Sequence, residues 1–108
     1  MSQTPSNAVF RALGDQTRRE ILRLLRNGPR TSGELADRFE SSWPTISRHL
    51  GVLRGSGLVL ATRTGQEIHY ELNTSVFQDV LQHLMEWVAP RKQAPRVRSR
   101  RSSRQQEA

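Results

Sequence analysis

Apolar residues recur at helical spacing along most of the chain, and the breaks between them mark where helices end. Residues 8–13 predict a short first helix that Gly14 closes. Asp15 then offers an N-cap for a second helix that extends to about Arg26. The Asn-Gly-Pro run at 27–29 stops this helix, because glycine fits a C-terminal turn and proline cannot continue a helix.

A short turn separates the next two predicted helices. Thr31 and Glu34 form a capping-box pattern, in which each side chain accepts the other's backbone N–H, and the helix that they open extends to about Phe39. A short polar turn follows, and Ser42 caps the fourth helix. Two helices joined in this way are typical of a helix-turn-helix motif.

The fourth helix has two faces with different chemistry. Ile46, Leu50 and Leu53 fall at i, i+4 and i+7, so they predict an apolar stripe that packs inward. Hydroxyl, guanidinium and indole groups, which can contact base edges and phosphates in a DNA groove, lie on or beside the other face. The candidate DNA-binding residues are Ser42, Trp43, Thr45, Ser47, Arg48 and His49. The alternative is an ordinary amphipathic helix with a solvated outer face, and for His49 a role in helix packing or phosphate contact is favoured over base readout.

The pattern changes from helix to strand after the Gly-Ser-Gly run at 55–57. Residues 58–64 and 67–72 are rich in β-branched and apolar residues and are joined across Gly65-Gln66, which predicts a hairpin. At its tip Arg63 and Gln66 are candidate DNA contacts, although Arg63 is equally well interpreted as a solvated charge at a strand end. Four helices, a hairpin and a further helix predict a mainly α fold with a small β-hairpin, the winged helix-turn-helix (α-α-α-α-β-β-α).

The last helix extends to about Ala89 and carries too much apolar surface for one small domain. Asn73, Thr74 and Ser75 compete to cap it, and Ser75 with Gln78 makes a second capping-box pattern. Its apolar residues wrap around more than one side, which predicts a homodimer; the alternative is a helix sunk deeper into the monomer. The predicted dimer-interface residues are Phe10, Leu13, Val80, Leu84, Trp87 and Val88.

The composition of the chain argues against several classes of protein. The 108 residues suffice for one domain, and no stretch approaches the roughly 20 apolar residues of a membrane-spanning helix. The polar N-terminus does not resemble a signal peptide, and the absence of cysteine excludes disulfides and thiolate chemistry, so we expect a cytoplasmic protein. No serine or histidine stands in a pattern that pairs a nucleophile with a base, and no glycine-rich phosphate loop is present, so we expect no enzyme.

The net charge of +7 is concentrated at one end of the chain. Residues 1–90 hold ten arginines and nine acidic residues, whereas residues 91–108 hold seven basic residues against Glu107 alone. We therefore divide the chain into a flexible N-terminus (1–7), a DNA-binding and dimerisation domain (8–90) and a disordered, arginine-rich tail (91–108). The tail is interpreted as an arm that strengthens binding to any DNA, the alternative being a solubility tail.

Metal sensing has little support in the sequence. The three histidines are scattered, and Asp79 and His83, four residues apart on the last helix, form at best half of a site shared between two subunits. A surface polar pair is the favoured interpretation, and no cofactor is predicted. Regulation by a partner protein and simple autorepression fit equally well.

Several motifs occur together, in order and at matching spacing: Phe10-Arg-Ala-Leu-Gly-Asp-Gln-Thr-Arg-Arg-Glu-Ile-Leu-Arg-Leu-Leu, Glu34-Leu-Ala, Ser42-x-x-Thr-Ile-Ser-Arg-His-Leu, Gly57-Leu-Val and Ile68-x-Tyr-x-Leu. Over residues 8–89 the chain resembles the ArsR-type winged-helix repressors, and in particular the autorepressor-like branch that lacks the cysteine metal box. The resemblance implies a homodimer, formed through the first and last helices, that binds an inverted-repeat operator in double-stranded DNA and blocks transcription.

Two residues of the fourth helix depart from this family pattern. Trp43 stands where a polar residue is common, and Gly51 stands where a long side chain is common. Because glycine inside a helix costs up to about 1 kcal/mol relative to alanine, Gly51 suggests close approach of another group. A different function also stays open at this stage: a winged helix that serves protein contacts or binds nucleic acid without sequence preference, with the basic tail dominating binding.

Overall fold

Five helices and three strands make up residues 4–90, the part of the chain that the computed structural model describes. In chain order they are α1 (Asn7–Leu13), α2 (Gln16–Leu25), β1 (Arg30–Thr31), α3 (Ser32–Ala36), α4 (Trp43–Ser56), β2 (Val59–Thr64), β3 (Glu67–Leu72) and α5 (Thr74–Val88). Helix α1 begins one residue earlier than predicted, because Ser6 caps it and accepts the backbone N–H of Val9. The predicted tail, residues 91–108, lies outside the described residues.

Side-chain caps fix the starts of three further helices. The Asp15 carboxylate accepts the backbone N–H of Arg18 at 3.0 Å and so caps α2. At α3 the capping box is complete: Thr31 Oγ1 accepts the Glu34 N–H at 3.1 Å, and Glu34 Oε1 accepts the Thr31 N–H at 2.9 Å. Ser42 caps α4. These caps confirm the three helix starts predicted from local sequence.

Helix α3 is shorter than predicted. It ends at Ala36, whereas the apolar spacing suggested an end near Phe39. Beyond Ala36 the backbone closes tighter turns, in which the Arg38 N–H bonds to the Leu35 carbonyl and the Phe39 N–H to the Ala36 carbonyl. Phe39 still packs against the core, but it does so from a turn. Apolar spacing alone therefore overestimated the length of α3.

The start of α5 also differs from the prediction. Asn73 occupies the N-cap position without a side-chain cap hydrogen bond, and Ser75 lies inside the first turn. The predicted capping box of Ser75 and Gln78 is therefore wrong. The backbone N–H of Asn73 bonds to the carbonyl of Leu58 at 2.9 Å, so packing against the start of the hairpin fixes where this helix begins.

The three strands form an antiparallel sheet in the order β1-β3-β2. The predicted hairpin is confirmed, with Val59 opposite Leu72 and Thr64 opposite Glu67. Gly65 adopts a φ of 64°, a left-handed conformation that favours glycine in a tight hairpin turn. Strand β1 was not predicted, because two residues are too few to display an alternating pattern.

One hydrophobic core joins all five helices to the hairpin. Its buried members are Val9, Ala12, Ile21, Leu22, Leu25, Leu35, Ile46, Leu50, Leu53, Leu58, Val59, Tyr70 and Val80. The predicted inward stripe of α4 belongs to this set, and each of its three residues is at most 1% exposed. Burial of this stripe holds α4 with its polar side facing outward. None of the helices between residues 4 and 90 is long and apolar enough to cross a membrane.

Candidate nucleic-acid interface

The outer face of α4 presents a mixed set of polar and aromatic groups. Ser47 and Arg48 are exposed, and the indole of Trp43 at the start of the helix is 51% exposed. Thr45 is half-buried, and its Oγ1 lies 2.9 Å from Ser42 Oγ. These five residues therefore share one accessible end of the helix, where a guanidinium and hydroxyls can bond to bases or phosphates.

His49 lies apart from this set, on the side of α4 that faces α2. Its Nδ1 is 3.2 Å from Arg18 Nη1 and 3.9 Å from Asp15 Oδ2, and its side chain is only 15% exposed. The contacts assign His49 a packing role, the interpretation favoured from the sequence. Direct contact of His49 with DNA stays a prediction.

The Asp15 carboxylate near His49 is stabilised in its charged form. The backbone N–H of Arg18 that it caps lowers the pKa of Asp15 below its ordinary value of 3.8. Burial acts in the opposite direction, and electrostatic interactions with the His49 and Arg18 side chains add to the lowering. An ionised Asp15 therefore accompanies the start of α2 at neutral pH.

The tip of the β2–β3 hairpin carries the two predicted wing residues. Arg63 and Gln66 are both exposed, and Arg63 Nη1 donates to the Gly65 carbonyl at 3.4 Å. This single long bond across the turn leaves most of the guanidinium donors directed to solvent. The hairpin tip is accessible to a phosphate.

A groove between α4 and the sheet was not predicted. Its volume is about 310 Å³, and it is lined by Ser32, Trp43, Pro44, Ser47, Ile68 and Tyr70. Two of the candidate DNA-binding residues thus border a shared recess with strand β3. No sequence pattern indicates this groove, because its lining comes from three separate elements.

Helix α5 exposes a second surface, which is apolar. Its exposed apolar residues, here called the α5 stripe, are Leu81, Leu84, Met85, Trp87 and Val88, with exposures between 38% and 74%. The Trp87 ring stacks on Phe10 of α1 with centroids 6.0 Å apart. Phe10 and Leu13 are half-buried against the core, so α1 borders the α5 stripe.

Of the residues predicted for the interface, Val80 is buried, and the α5 stripe contains two residues that the prediction omitted. Val80 is only 6% exposed and belongs to the subunit's own core, because α5 turns this face toward the hairpin and helices. Leu81 and Met85, which the predicted interface omitted, are 60% and 54% exposed. A helix that is apolar on several sides does not reveal from sequence which side packs inward.

The candidate metal pair, Asp79 and His83, has no third ligand placed beside it in the part of the chain that the structure describes. Asp79 borders a recess beside Ser6 and Val9, whereas His83 packs near the rings of Phe10 and Trp87. Within residues 4–90 of one chain, no group of three His, Asp or Glu side chains is positioned to hold a metal ion.

Comparison with known proteins assigns the family. The model described as "Bacterial regulatory protein, arsR family" matches residues 15–60, which include α2, α3 and α4. The transcriptional repressor SdpR of Bacillus subtilis is 43% identical over 82 residues, covering 76% of this chain and 91% of that protein. This chain belongs to the arsR family.

Further relatives agree with this assignment. The arsenical resistance operon repressor of Staphylococcus aureus is 33% identical over 84 residues, covering 78% of this chain and 81% of that protein. Among solved structures, an ArsR family transcriptional regulator superposes with a TM-score of 0.72 at 34% identity, covering 81% of this chain and 92% of that one. The described fold is therefore the winged helix-turn-helix of this family.

Membership of the arsR family establishes the general function. The protein is a sequence-specific DNA-binding transcriptional regulator and not an enzyme. In this family member, α3 and α4 form the helix-turn-helix and the β2–β3 hairpin forms the wing.

Proposed function

We propose that this arsR-family protein is a homodimeric repressor that binds an inverted-repeat operator at its own or a neighbouring gene. The observation that carries the proposal is the outward face of α4, where Ser47 and Arg48 stand exposed above a stripe that is almost completely buried. A rigid helix with such a face suits the major groove. Arg48 reads guanine there through two parallel hydrogen bonds.

The wing and the start of α4 add contacts to the DNA backbone in this proposal. Ser42, Trp43 and Thr45 lie at the N-terminal end of α4, where phosphates are favoured by the helix dipole and by backbone N–H groups. Arg63 and Gln66 at the hairpin tip reach a neighbouring phosphate or the minor groove. These contacts set the register of α4, whereas base contacts supply the specificity.

The α5 stripe supports the homodimer. A contiguous row of exposed leucine, methionine, valine and tryptophan side chains is unfavourable in water and marks an association surface. A second copy of the chain, related by a two-fold axis, would bury the row against itself and against Phe10 and Leu13 of α1. Two α4 helices related by the same axis match an inverted repeat.

Repression is supported by the names of the relatives and by the steric exclusion of polymerase from DNA that the dimer occupies. SdpR and the arsenical resistance operon protein are both named repressors. A dimer bound near a promoter excludes polymerase from the same DNA without any further chemistry. We further propose a cytoplasmic location, where such a regulator meets its operator, with regulation by a partner protein or by autorepression alone.

The test is anisotropy binding to the DNA upstream of the protein's own gene and to a scrambled duplex, over a salt series. Full-length protein should prefer the native duplex by roughly 10³-fold or more. Arg48→Ala should lose about 1–3 kcal/mol of this discrimination, whereas Arg54→Ala, a control on the same helix, should change both affinities equally. A truncation to residues 1–90 should keep the preference for the native duplex and should reduce only the salt-dependent part of the binding affinity.

The opposite ranking would overturn the proposal. If Arg48→Ala leaves the preference intact and the truncation abolishes binding to both duplexes, the tail carries the binding. The winged helix would then serve protein contacts.

A further inference from the structure

One arginine joins three elements of the domain. The guanidinium of Arg18, near the start of α2, donates from Nε to the Ala12 carbonyl at 2.8 Å and from Nη2 to the Arg11 carbonyl at 3.1 Å. Its Nη1 lies 3.2 Å from Nδ1 of His49 on α4. The planar fork of the guanidinium therefore holds the C-terminal end of α1 and the middle of α4 at a fixed relative position.

The chemistry of the two side chains fixes the direction of the bond between them. A guanidinium only donates hydrogen bonds, so Nδ1 of His49 is the acceptor. Asp15 Oδ2 lies 3.9 Å from the same nitrogen, and Asp15 also caps the Arg18 N–H. The side chain of Arg18 is thus held at its base by α2 and at its tip by α1 and α4.

The neighbouring Arg19 also bonds to the C-terminal end of α1. Arg19 Nη1 donates to the Leu13 carbonyl at 2.7 Å, which places a second guanidinium on the end of α1. The hydrogen bonds described for Arg19 do not include α4. The two arginines bond to the Ala12 and Leu13 carbonyls at the C-terminal end of α1, but Arg18 alone of the two also bonds to α4.

We propose that Arg18 is a positioning residue that couples dimerisation through α1 to operator binding by α4. The inference rests on the proposed function, because it assumes that α1 borders the dimer interface and that α4 reads DNA. Helix α1 also packs directly against α4. Through these contacts, any shift of α1 when two subunits associate is transmitted to His49 and to the outward angle of the adjacent Arg48.

The experiment measures this coupling as a linkage. The dimer dissociation constant of the full-length chain is determined by sedimentation equilibrium, with and without a saturating half-site duplex taken from an operator selected in vitro. A half-site contacts one subunit, so it cannot bridge two subunits. The half-site should tighten the wild-type dimer at least about fivefold, within the usual range of coupling between two sites.

Two Arg18 variants and one matched control test the assignment. Arg18→Lys keeps the charge but replaces a planar fork by a single ammonium, and Arg18→Met removes the donors. Both should reduce the linkage factor, which is the dimer dissociation constant without the half-site divided by that with it, to about one. Arg19→Met should keep it, because Arg19 bonds to α1 in the same way without reaching His49.

Variants of His49 keep the test decisive if the Arg18 variants do not fold. His49→Phe retains a ring and removes the acceptor, so it should lose the linkage. His49→Asn places an amide oxygen near the position of Nδ1, so it should retain most of it. A purely structural role would lower stability in both variants without separating their linkage factors.

Each outcome bears on one proposal or the other. Linkage that is absent from wild type, or that survives in Arg18→Met and in His49→Phe, overturns the role of Arg18. A wild-type chain that stays monomeric at all concentrations, or that binds scrambled DNA as well as the selected operator, instead overturns the proposed function.

Discussion

Helices α4 and α5 are both amphipathic in the loose sense, yet they expose opposite chemistries. Helix α4 buries Ile46, Leu50 and Leu53 and leaves Ser47 and Arg48 in solvent. Helix α5 buries one residue completely enough to join the core, Val80, and exposes the apolar α5 stripe. The polar face of α4 is stable in water by itself, whereas the exposed face of α5 is stable only when another surface covers it.

The difference also appears in how the two helices are anchored. Ser42 caps α4 with its side chain, and Arg18 holds α4 from α2. Helix α5 has no side-chain cap, and its start is held by a backbone bond from Asn73 to Leu58. The helix proposed to read DNA is therefore fixed within the subunit, and the helix proposed to bind a second subunit depends more on that partner.

The largest expected effect comes from charging the α5 stripe. Leu81→Glu combined with Met85→Glu brings four negative charges into a two-fold interface and should raise the dimer dissociation constant by at least roughly a thousandfold. Sedimentation equilibrium measures this change, and operator binding should fall with it. Both side chains are exposed, so the subunit's own core is untouched.

Gln82→Glu provides the control for charge on the same helix. Gln82 is exposed but does not belong to the α5 stripe, so one added carboxylate there should leave the dimer intact. A doubly charged stripe that still dimerises normally would place the interface elsewhere and leave the exposed apolar row without a partner.

The two faces of α4 should respond very differently to truncation. Leu50→Ala removes a side chain that is 1% exposed and should lower the free energy of unfolding by about 2–5 kcal/mol. Ser47→Ala, on the exposed face, should change it by less than about 0.5 kcal/mol and affect operator binding instead. Urea unfolding of both variants checks the contrast, which disappears if Ser47 supports the fold.

The caps of the two helices give a smaller contrast. Ser42→Ala should lower the free energy of unfolding by about 1 kcal/mol, because the first turn of α4 loses its side-chain acceptor. Asn73→Ala should cost much less, since Asn73 makes no side-chain cap bond at α5. Equal losses in thermal or urea unfolding would show that Asn73 caps α5 after all.

Features carried by neighbouring residues could be predicted from the sequence. The inward stripe of α4 follows from a 3.6-residue period, and the caps at Asp15, Thr31 and Ser42 depend on bonds that reach three residues along the chain. The hairpin follows from two strands and one Gly-Gln turn. The family resemblance, which supplied the expectation of an operator, rested on the order of these same motifs.

Features that depend on distant residues could not be predicted in this way. Arg18 and His49 are 31 residues apart in the sequence, and nothing in either neighbourhood indicates that they meet. The groove beside Trp43 combines α3, α4 and β3. Val80 was assigned to the interface because α5 is apolar on several sides, and only packing decides which side turns to the core.

The smallest expected effect concerns Gly51, which the sequence suggested lies close to another group. Within residues 4–90 the position is open, because a Cβ there would meet no heavy atom within 4 Å apart from the adjoining backbone of its own helix, and the same holds for Gly55. Gly51→Ala and Gly55→Ala should therefore each raise the free energy of unfolding by about 0.5–1 kcal/mol. The group that approaches Gly51, on this interpretation, is the operator.

The two glycines can then be separated by DNA binding. Gly51 follows Ser47 and Arg48 by four and three residues, so it shares their side of α4, while Gly55 lies one turn farther toward the C-terminal end. Gly51→Ala should weaken operator binding in the anisotropy assay although it stabilises the fold, and Gly55→Ala should only stabilise. Equal operator affinities for both variants would mean that DNA does not approach α4 closely at Gly51. The DNA-contacting surface of α4 would then not extend as far as Gly51.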